Sequence, residues 1–247
     1  MDMVTAGKTA AELARRVAAG DVDLVPVQQV LALGLGRPVH VAPGLVYVDS
    51  IGGADGFLWA EDAAGAAALL SRCPRPAMVE VTGRAAAEAV ARAFPGSSEP
   101  QGHLVCAYLA ATPPPVADAL EIRPLAPDHA DLVIARYSHP EYFSREEIVR
   151  RLAAGTIDGG YLDGGLVGFI GMHAEGSMGM LEVFPGWRRR GVALALEAAK
   201  IASGLAAGHV PWAQVFPENR ASIALQHRLG MAFGCGYQAF LDCGGPA

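Results

Sequence analysis

The sequence has few features of membrane, secreted or metal-binding proteins. No run of about 18 apolar residues is free of charges and helix breakers, which excludes a transmembrane helix. The first residues lack the basic and apolar regions of a signal peptide. The four cysteines are scattered, with no C-x-x-C pair, so neither a zinc site nor a disulfide framework is predicted. We therefore expect a cytoplasmic protein with no metal and no membrane partner.

Charge is also scarce, and its sign does not suit nucleic acid. Charged residues make up 18% of the 247 residues, and 19 Lys and Arg against 25 Asp and Glu give a net charge of −6. Nucleic-acid binding needs a clustered basic face, so no nucleic-acid partner is expected. Hydrophobic residues amount to 52%, which excludes a disordered chain and is enough for a substantial core.

Proline divides the chain near its middle. Thr112 is followed by Pro113, Pro114 and Pro115, an extended segment that neither a helix nor a central strand tolerates. We take residues 1–115 as an N-terminal α/β domain without a recognisable catalytic motif. Residues 116–247 form the second predicted domain.

Hydrophobic periodicity predicts helices and strands in both halves, which indicates an α/β fold with mixed sheets. In the first half, helices are predicted at 9–19, 62–70 and 84–94, and strands at 45–48, 56–59, 77–81 and 103–109. In the second half, helices are predicted at 128–137, 144–153, 191–207 and 219–229, and strands at 122–123, 160–162, 166–172, 177–184, 212–216 and 236–241. Ser144, followed three residues later by Glu147, is a capping-box signature.

The most informative segment is a basic loop between a strand and a helix. Three arginines, Arg188, Arg189 and Arg190, precede Gly191 at the predicted helix start. The first N–H groups of a helix lack intrahelical partners, and the helix dipole adds partial positive charge. Glycine lets a ligand approach the backbone closely, and arginine matches phosphate oxygens. The segment indicates an anion site, and the alternative is a solvated arginine cluster at an ordinary helix start.

This loop resembles one motif of the GNAT superfamily of acyl-CoA-dependent N-acyltransferases. Arg188-x-x-Gly191-x-Ala193 fits the Q/R-x-x-G-x-G/A loop of that family, and Val183-x-Pro185 precedes it at the family's spacing.

A second motif lies downstream. Asn219-x-x-Ala/Ser, with Ser222 in the signature, opens a helix that ends in Leu-Gly-Met at 229–231, as in the second signature of the family. Together the resemblance covers about residues 121–243.

The resemblance implies that acetyl-CoA or another acyl-CoA binds in the second half. The pyrophosphate would be held by Arg188, Arg189, Arg190, Gly191, Val192 and Ala193. The pantetheine arm would lie between the strand ending at Val183 and the strand at 212–216, pairing with the backbone near Val183. Asn219 and Ser222 would complete the coenzyme site, although asparagine is also among the best helix N-caps.

Direct acyl transfer to an amine needs a base for the incoming ammonium. The position where many relatives carry a glutamate or histidine is Ser177 here. The nearest carboxylates are Glu182 and Glu175, with His173 on the preceding strand, and any of them could act through a water. For Glu182 the alternative is a hydrogen bond to a neighbouring loop.

The general acid and the acceptor pocket are open questions at this point. Many relatives carry a tyrosine acid where this sequence has Gln226, whose amide donates hydrogen bonds but cannot release a proton near neutral pH. Candidates for the acceptor pocket, with simple packing as the alternative, are Tyr137, His139, Tyr142 and Phe143.

The resemblance implies an N-acyltransferase that moves an acetyl or other short acyl group to a small amine or amino acid. The element order of the first half fits a degenerate copy of the same fold, and this tandem arrangement resembles the glycine N-acyltransferase-like branch. The alternatives are a non-catalytic acyl-CoA sensor and a protein N-terminal or lysine acetyltransferase. A homodimer is left open.

Overall fold

Two mixed β-sheets form the frame of the protein in the computed structural model, which describes residues 3–51, 54–115, 120–139 and 143–246. The first half contains α1 (Met3–Ala18), α2 (Val25–Ala32), β1 (Gly36–Ala42), β2 (Leu45–Ser50), β3 (Asp55–Ala60), α3 (Ala63–Leu70), β4 (Met78–Thr82), α4 (Arg84–Ala93), β5 (Gln101–Gly102) and β6 (Leu104–Ala107). The second half contains β7 (Glu121–Pro124), α5 (Ala130–Arg136), α6 (Arg145–Ala153), β8 (Asp158–Leu162), β9 (Gly165–Met172), β10 (Met178–Val183), α7 (Val192–Ala206), β11 (Trp212–Val215), α8 (Arg220–Leu229), β12 (Ala232–Phe233) and β13 (Gln238–Asp242).

The two halves repeat one order of elements. From α1 and from α5, each half runs through two helices, a three-stranded antiparallel meander, a helix, a strand, a helix and two short strands. In both halves, the helix after the meander leads to a strand that is parallel to the last strand of the meander. These pairs are β4 beside β3 and β11 beside β10. The predicted fold class is confirmed, and the element order of the first half copies that of the second.

The last strand of each half lies in the sheet of the other half. The six-stranded sheet runs β1-β2-β3-β4-β13-β5, and the seven-stranded sheet runs β12-β6-β11-β10-β9-β8-β7. Thus β13 is inserted between β4 and β5, and β6 between β11 and β12. The division after residue 115 stays a prediction, but each sheet is completed across it.

A shared hydrophobic core joins the halves. Leu13 of α1 and Val30 of α2 belong to one buried cluster with Val105 of β6 and Trp212 of β11. Trp212 is fully buried. Fully burying one such side chain contributes about 1.5–3 kcal/mol, so the cluster contributes strongly to holding the halves together.

Two elements that hydrophobic periodicity does not predict, α2 and β1, each contain a proline. Pro26 lies in the first turn of α2, where its missing N–H costs no helical hydrogen bond. Pro38 lies in the edge strand β1, where the register shifts between Pro38 and His40. The strand β12 has two residues and is too short for periodicity to predict.

The predicted helix cap at Ser144 is confirmed. Its side chain accepts from the Glu147 N–H at 3.2 Å.

Within the described ranges, no helix is both long and apolar enough to cross a membrane.

Candidate functional site

The parallel strands β10 and β11 separate almost as soon as they meet. They pair at a single position, Met178 with Ala213, and then diverge. Each strand is followed by a helix, α7 or α8, and the carboxyl ends of parallel strands open at the same sheet edge. Ligands of α/β sheets bind in such crevices outside the carboxyl ends of the strands. We call this opening, from Met178 and Ala213 to the starts of the two helices, the fork.

A β-bulge in β10 frees backbone groups along the fork. The register with β9 shifts between Gly179 and Glu182, so Met180 and Leu181 have no partner in the register of β9 or β11. Met180 adopts a φ of +52°, which is uncommon for a side chain other than glycine. Bulges often redirect the backbone beside active sites. Here the bulge leaves Met180 and Leu181 out of the strand register beside the fork.

The start of α7 offers unpaired donors at the mouth of the fork. Gly191 is the N-cap residue with a φ of +84°, and no heavy atom lies within 4 Å of the position that a Cβ would take. In this described segment, the N–H groups of Val192, Ala193 and Leu194 make no backbone hydrogen bond. Free N–H groups and the helix dipole favour an anion at this place.

The three predicted arginines surround this helix start, and all three are exposed. Nε of Arg188 donates to the carbonyl of Val183 at 3.1 Å, which fixes the loop to the end of β10. The guanidinium of Arg190 lies 5.1 Å from the ring centre of Trp187. Arg189 adopts a φ of +64° in the same turn. The predicted residues 183 and 188–193 are thus brought together, while the carbonyl of Val183 already has a partner.

Asn219 caps the second helix at the fork. Its side chain accepts from the N–H of Ser222 at 3.0 Å, so the two residues of the second motif bind each other. Since α8 follows β11, Asn219 and the arginine loop lie at the same sheet edge. The N-cap interpretation is therefore confirmed, and contact with a pantetheine arm stays a prediction.

Glu182 holds the segment between α5 and α6. Its Oε1 accepts from the backbone N–H of Ser138 at 2.8 Å and from the Ser138 hydroxyl, and the residue is buried. This is the loop contact considered as the alternative to catalysis. Glu182 is also the last residue of the bulge, so the contact leaves it next to the peptide groups of Met180 and Leu181.

Glu175 lies in the turn between β9 and β10 and points toward the first half. It accepts a hydrogen bond from the Ser177 hydroxyl. Burial, followed by the charges of Glu175 and Glu147, raises the pKa of the Asp55 carboxyl at the start of β3. The neighbouring Gly176 lies against Leu35. Glu175 is thus bound to Ser177 of its own turn, whereas Glu182 is bound to Ser138.

An aromatic cluster lies around Ser138, the residue that Glu182 holds. The ring of Tyr137 is 6.0 Å from that of His139 and 5.9 Å from that of Phe143, and Phe143 stacks with His173 at 5.8 Å. Three of the four predicted acceptor-pocket residues therefore lie together, and Tyr142 lies outside the described residues.

Gln226 is buried and turned toward α7. Its Nε2 donates to Oε1 of Glu197 at 2.7 Å. Reasoning from the sequence missed Glu197, although one signal could have found it: this single carboxylate interrupts the apolar stripe of Leu194, Ala198 and Ile201.

The equivalent region of the first half is closed. The parallel strands β3 and β4 pair continuously from Asp55 with Met78 to Trp59 with Thr82. The Asp62 side chain accepts from the N–H groups of Ala64 and Gly65 at the start of α3, at 3.2 and 2.8 Å. The Asp62 carboxylate therefore occupies the start of α3, whereas the equivalent helix start at α7 is open to an anion.

The fold and the fork define a class: an α/β protein whose sheet opens between two parallel strands in front of an anion-binding helix start. Residues 122–231 match the model of the Acetyltransferase (GNAT) family. This part of the chain is therefore a GNAT acetyltransferase domain, as the two motifs implied, and its family uses acyl-CoA. A search of curated proteins gives no match.

Solved structures share the fold across both halves. A protein from Drosophila has a TM-score of 0.59 and 20% identity, with 80% of this chain and 74% of that chain covered. A GCN5-related N-acetyltransferase from Kribbella flavida has a TM-score of 0.54 and 14% identity, covering 94% and 95%. A GCN5-related N-acetyltransferase-like protein from Streptococcus suis has a TM-score of 0.51 and 16% identity, covering 93% and 98%. At these identities the likeness concerns the fold.

Proposed function

We propose that this protein is an N-acyltransferase that moves an acetyl or other short acyl group from acyl-CoA to the amine of a small molecule or amino acid. The observation that carries the proposal is the fork, which parts at Met178 and Ala213 and ends at the open helix start beyond Gly191. An anionic pyrophosphate suits the N–H groups and arginines at that end, and an extended arm suits the strand gap.

Positioning is the main contribution that the chain makes to the reaction. Holding the thioester and the amine in one complex supplies up to about 7–11 kcal/mol by effective-molarity arguments. Peptide groups of the bulge, at Met180 and Leu181, are available to stabilise the oxyanion that develops on the thioester carbonyl. The aromatic cluster and Glu182 form the acceptor side.

Glu182 is our candidate for the base, and Glu182→Gln tests it. Glutamine keeps the side-chain carbonyl that accepts from Ser138, so the loop contact survives while the basic group is lost. We expect kcat to fall about 10²-fold or more, the usual contribution of a general base, with the dissociation constant for acetyl-CoA unchanged. Steady-state kinetics and calorimetry measure the two quantities.

The parallel change Glu175→Gln tests the other carboxylate, since glutamine there still accepts from Ser177. Full activity of Glu182→Gln would show that Glu182 only holds the Ser138 segment. A large loss of kcat in Glu175→Gln alone would assign the base to the turn that faces the first half.

We expect one acyl-CoA to bind per chain. The first half has continuous pairing of β3 with β4 and a carboxylate of its own, Asp62, at the start of α3. A pyrophosphate there would be repelled and the strands would have to separate. Calorimetric titration with acetyl-CoA gives the stoichiometry, and two equivalent sites would contradict the closed state of the first half.

A thiol-release assay tests the function itself. The protein is incubated with acetyl-CoA together with one class of acceptor at a time: small amines, amino acids or peptides. The free thiol released is measured against a control without acceptor. Turnover on a small amine supports the proposal. Turnover confined to peptides would indicate a protein acetyltransferase, and tight binding without turnover on any acceptor would indicate an acyl-CoA sensor.

A further inference from the structure

A buried pair between α7 and α8 has polar atoms without partners. Glu197 and Gln226 are each 2% exposed and joined by the 2.7 Å hydrogen bond from Nε2 of Gln226 to Oε1 of Glu197. In the described part of the chain, Oε2 of Glu197 and Oε1 of Gln226 have no hydrogen-bond partner. Leaving a buried polar atom unpaired costs about 1–3 kcal/mol. Such unpaired oxygens lower the stability of the fold and leave the pair able to interact with a ligand or a proton.

The pair lies behind the fork. Ala198, the next residue on α7, packs in one core cluster with Met178 and Ala213, the two residues at which β10 and β11 last touch. Ala213 is also the register partner of Cys106, whose pKa is raised by burial and then by the nearby Glu197. Glu197 is therefore placed beside the point where the two strands separate.

The surroundings of Glu197 favour its protonated form. Burial raises the pKa of this carboxyl to about 7, and the hydrogen bond from Gln226 only partly opposes the shift. The titratable side chain that faces it from β6 is the Cys106 thiol. The other charged and titratable groups on α7 and on the elements packed against it have other partners or are exposed. The paired groups are Lys200 with Asp158, Glu182 with Ser138, Tyr161 with Arg123, and His227 with Phe233. Arg220 and Arg228 lie at the surface.

We propose that Glu197 donates the proton that the departing thiolate of coenzyme A takes up, and that Gln226 positions it. Gln226 stands where many relatives of the family carry a tyrosine, and its own amide cannot release a proton near neutral pH. The carboxyl of Glu197, which accepts from that amide, can release one. This role rests on the acyl transfer proposed above.

The proton balance of the step is simple. The amine nitrogen attacks the thioester carbon and a C–N bond forms, while the base takes one proton from that nitrogen. The C–S bond then breaks with its electron pair on sulfur, and the Oε2 proton of Glu197 passes to sulfur. The thiol leaves, Glu197 remains as a carboxylate, and exchange with solvent returns both groups to their starting states.

Glu197→Gln removes the proton and keeps the shape, because the new amide carbonyl still accepts from Gln226. We expect kcat to fall about 10²-fold, at the low end of general-acid contributions since a thiolate is a good leaving group, with acetyl-CoA binding unchanged. In the wild type, kcat falls as pH rises through about 7, where Glu197 loses its proton, and the variant lacks this fall. Glu88→Gln, an exposed carboxylate of α4 that pairs with Arg92, is the matched control and keeps both rate and profile.

Two results overturn the proposal without touching the acyl transfer on which it rests. One is a Glu197→Gln variant with the wild-type rate, or with a lower rate but the same alkaline fall, since a purely structural role gives that pattern. The other comes from infrared difference spectra of wild type against Glu197→Gln, which detect the protonated carboxyl without any acceptor. A Glu197 ionised throughout the neutral range excludes it as donor. A Glu197 that titrates near neutral pH, in a protein that binds acetyl-CoA but turns over no amine, instead refutes the proposed function, and this role with it.

Discussion

Replacing Gly191 by glutamate is expected to abolish acyl-CoA binding while the protein remains folded. The new carboxylate would lie beside the free N–H groups of α7, where the pyrophosphate is proposed to bind. Two unit charges about 4 Å apart repel by about 4 kcal/mol at an effective dielectric constant near 20. That is about a thousandfold in the dissociation constant. Isothermal titration calorimetry with acetyl-CoA measures the loss.

Strain must be separated from charge in this experiment, because Gly191 has a φ of +84°. A side chain in this region costs about 1–2 kcal/mol of stability at any site. Gly208, just beyond the opposite end of α7, has a φ of +76°, and no heavy atom lies within 4 Å of the position that its Cβ would take. Gly208→Glu therefore carries the same backbone cost without touching the fork, and it should bind acetyl-CoA normally. Unchanged affinity in Gly191→Glu would refute the anion site.

Separating the chain into residues 1–115 and 116–247 is expected to leave neither piece folded. The first piece loses β13 from the interior of its sheet, and the second loses β6. Each piece then exposes unpaired strand edges and part of the shared core around Trp212. Losing several side chains that contribute about 1.5–3 kcal/mol each is comparable to the total stability of a domain, about 5–15 kcal/mol. Circular dichroism and thermal unfolding of each piece measure the result.

Co-expression of the two pieces is the matched control. Residues 111–115 are mostly exposed, so a break in this segment leaves every strand available when both pieces are present. The mixture should recover cooperative unfolding and acyl-CoA binding. A piece 116–247 that unfolds cooperatively and binds acetyl-CoA alone would show that β6 is dispensable and that the predicted division is also a physical one.

Features that depend on neighbouring residues could be predicted from the amino-acid sequence. The motif Ser-x-x-Glu predicts the Ser144 cap, and Asn219 with Ser222 predicts the cap of α8. Both are predictable because a cap is a contact within one turn of the chain. The turn that brings Arg188 next to Gly191 is equally local. Periodicity predicts most helices and strands for the same reason, and it fails at α2, β1, β5 and β12, where prolines or very short length obscure the pattern.

Three features follow only from long-range packing: the exchange of β6 and β13, the fork, and the pair of Glu197 with Gln226. Each of these joins residues far apart in the chain, such as Cys106 with Ala213, and no local pattern distinguishes a strand that stays in its own sheet from one that crosses. The fork depends on how far β10 and β11 stay paired, and this pairing joins residues 35 positions apart, Met178 and Ala213. The sequence marks Glu197 as a carboxylate within an apolar stripe, but its pairing with Gln226 follows only from the packing of α8 against α7.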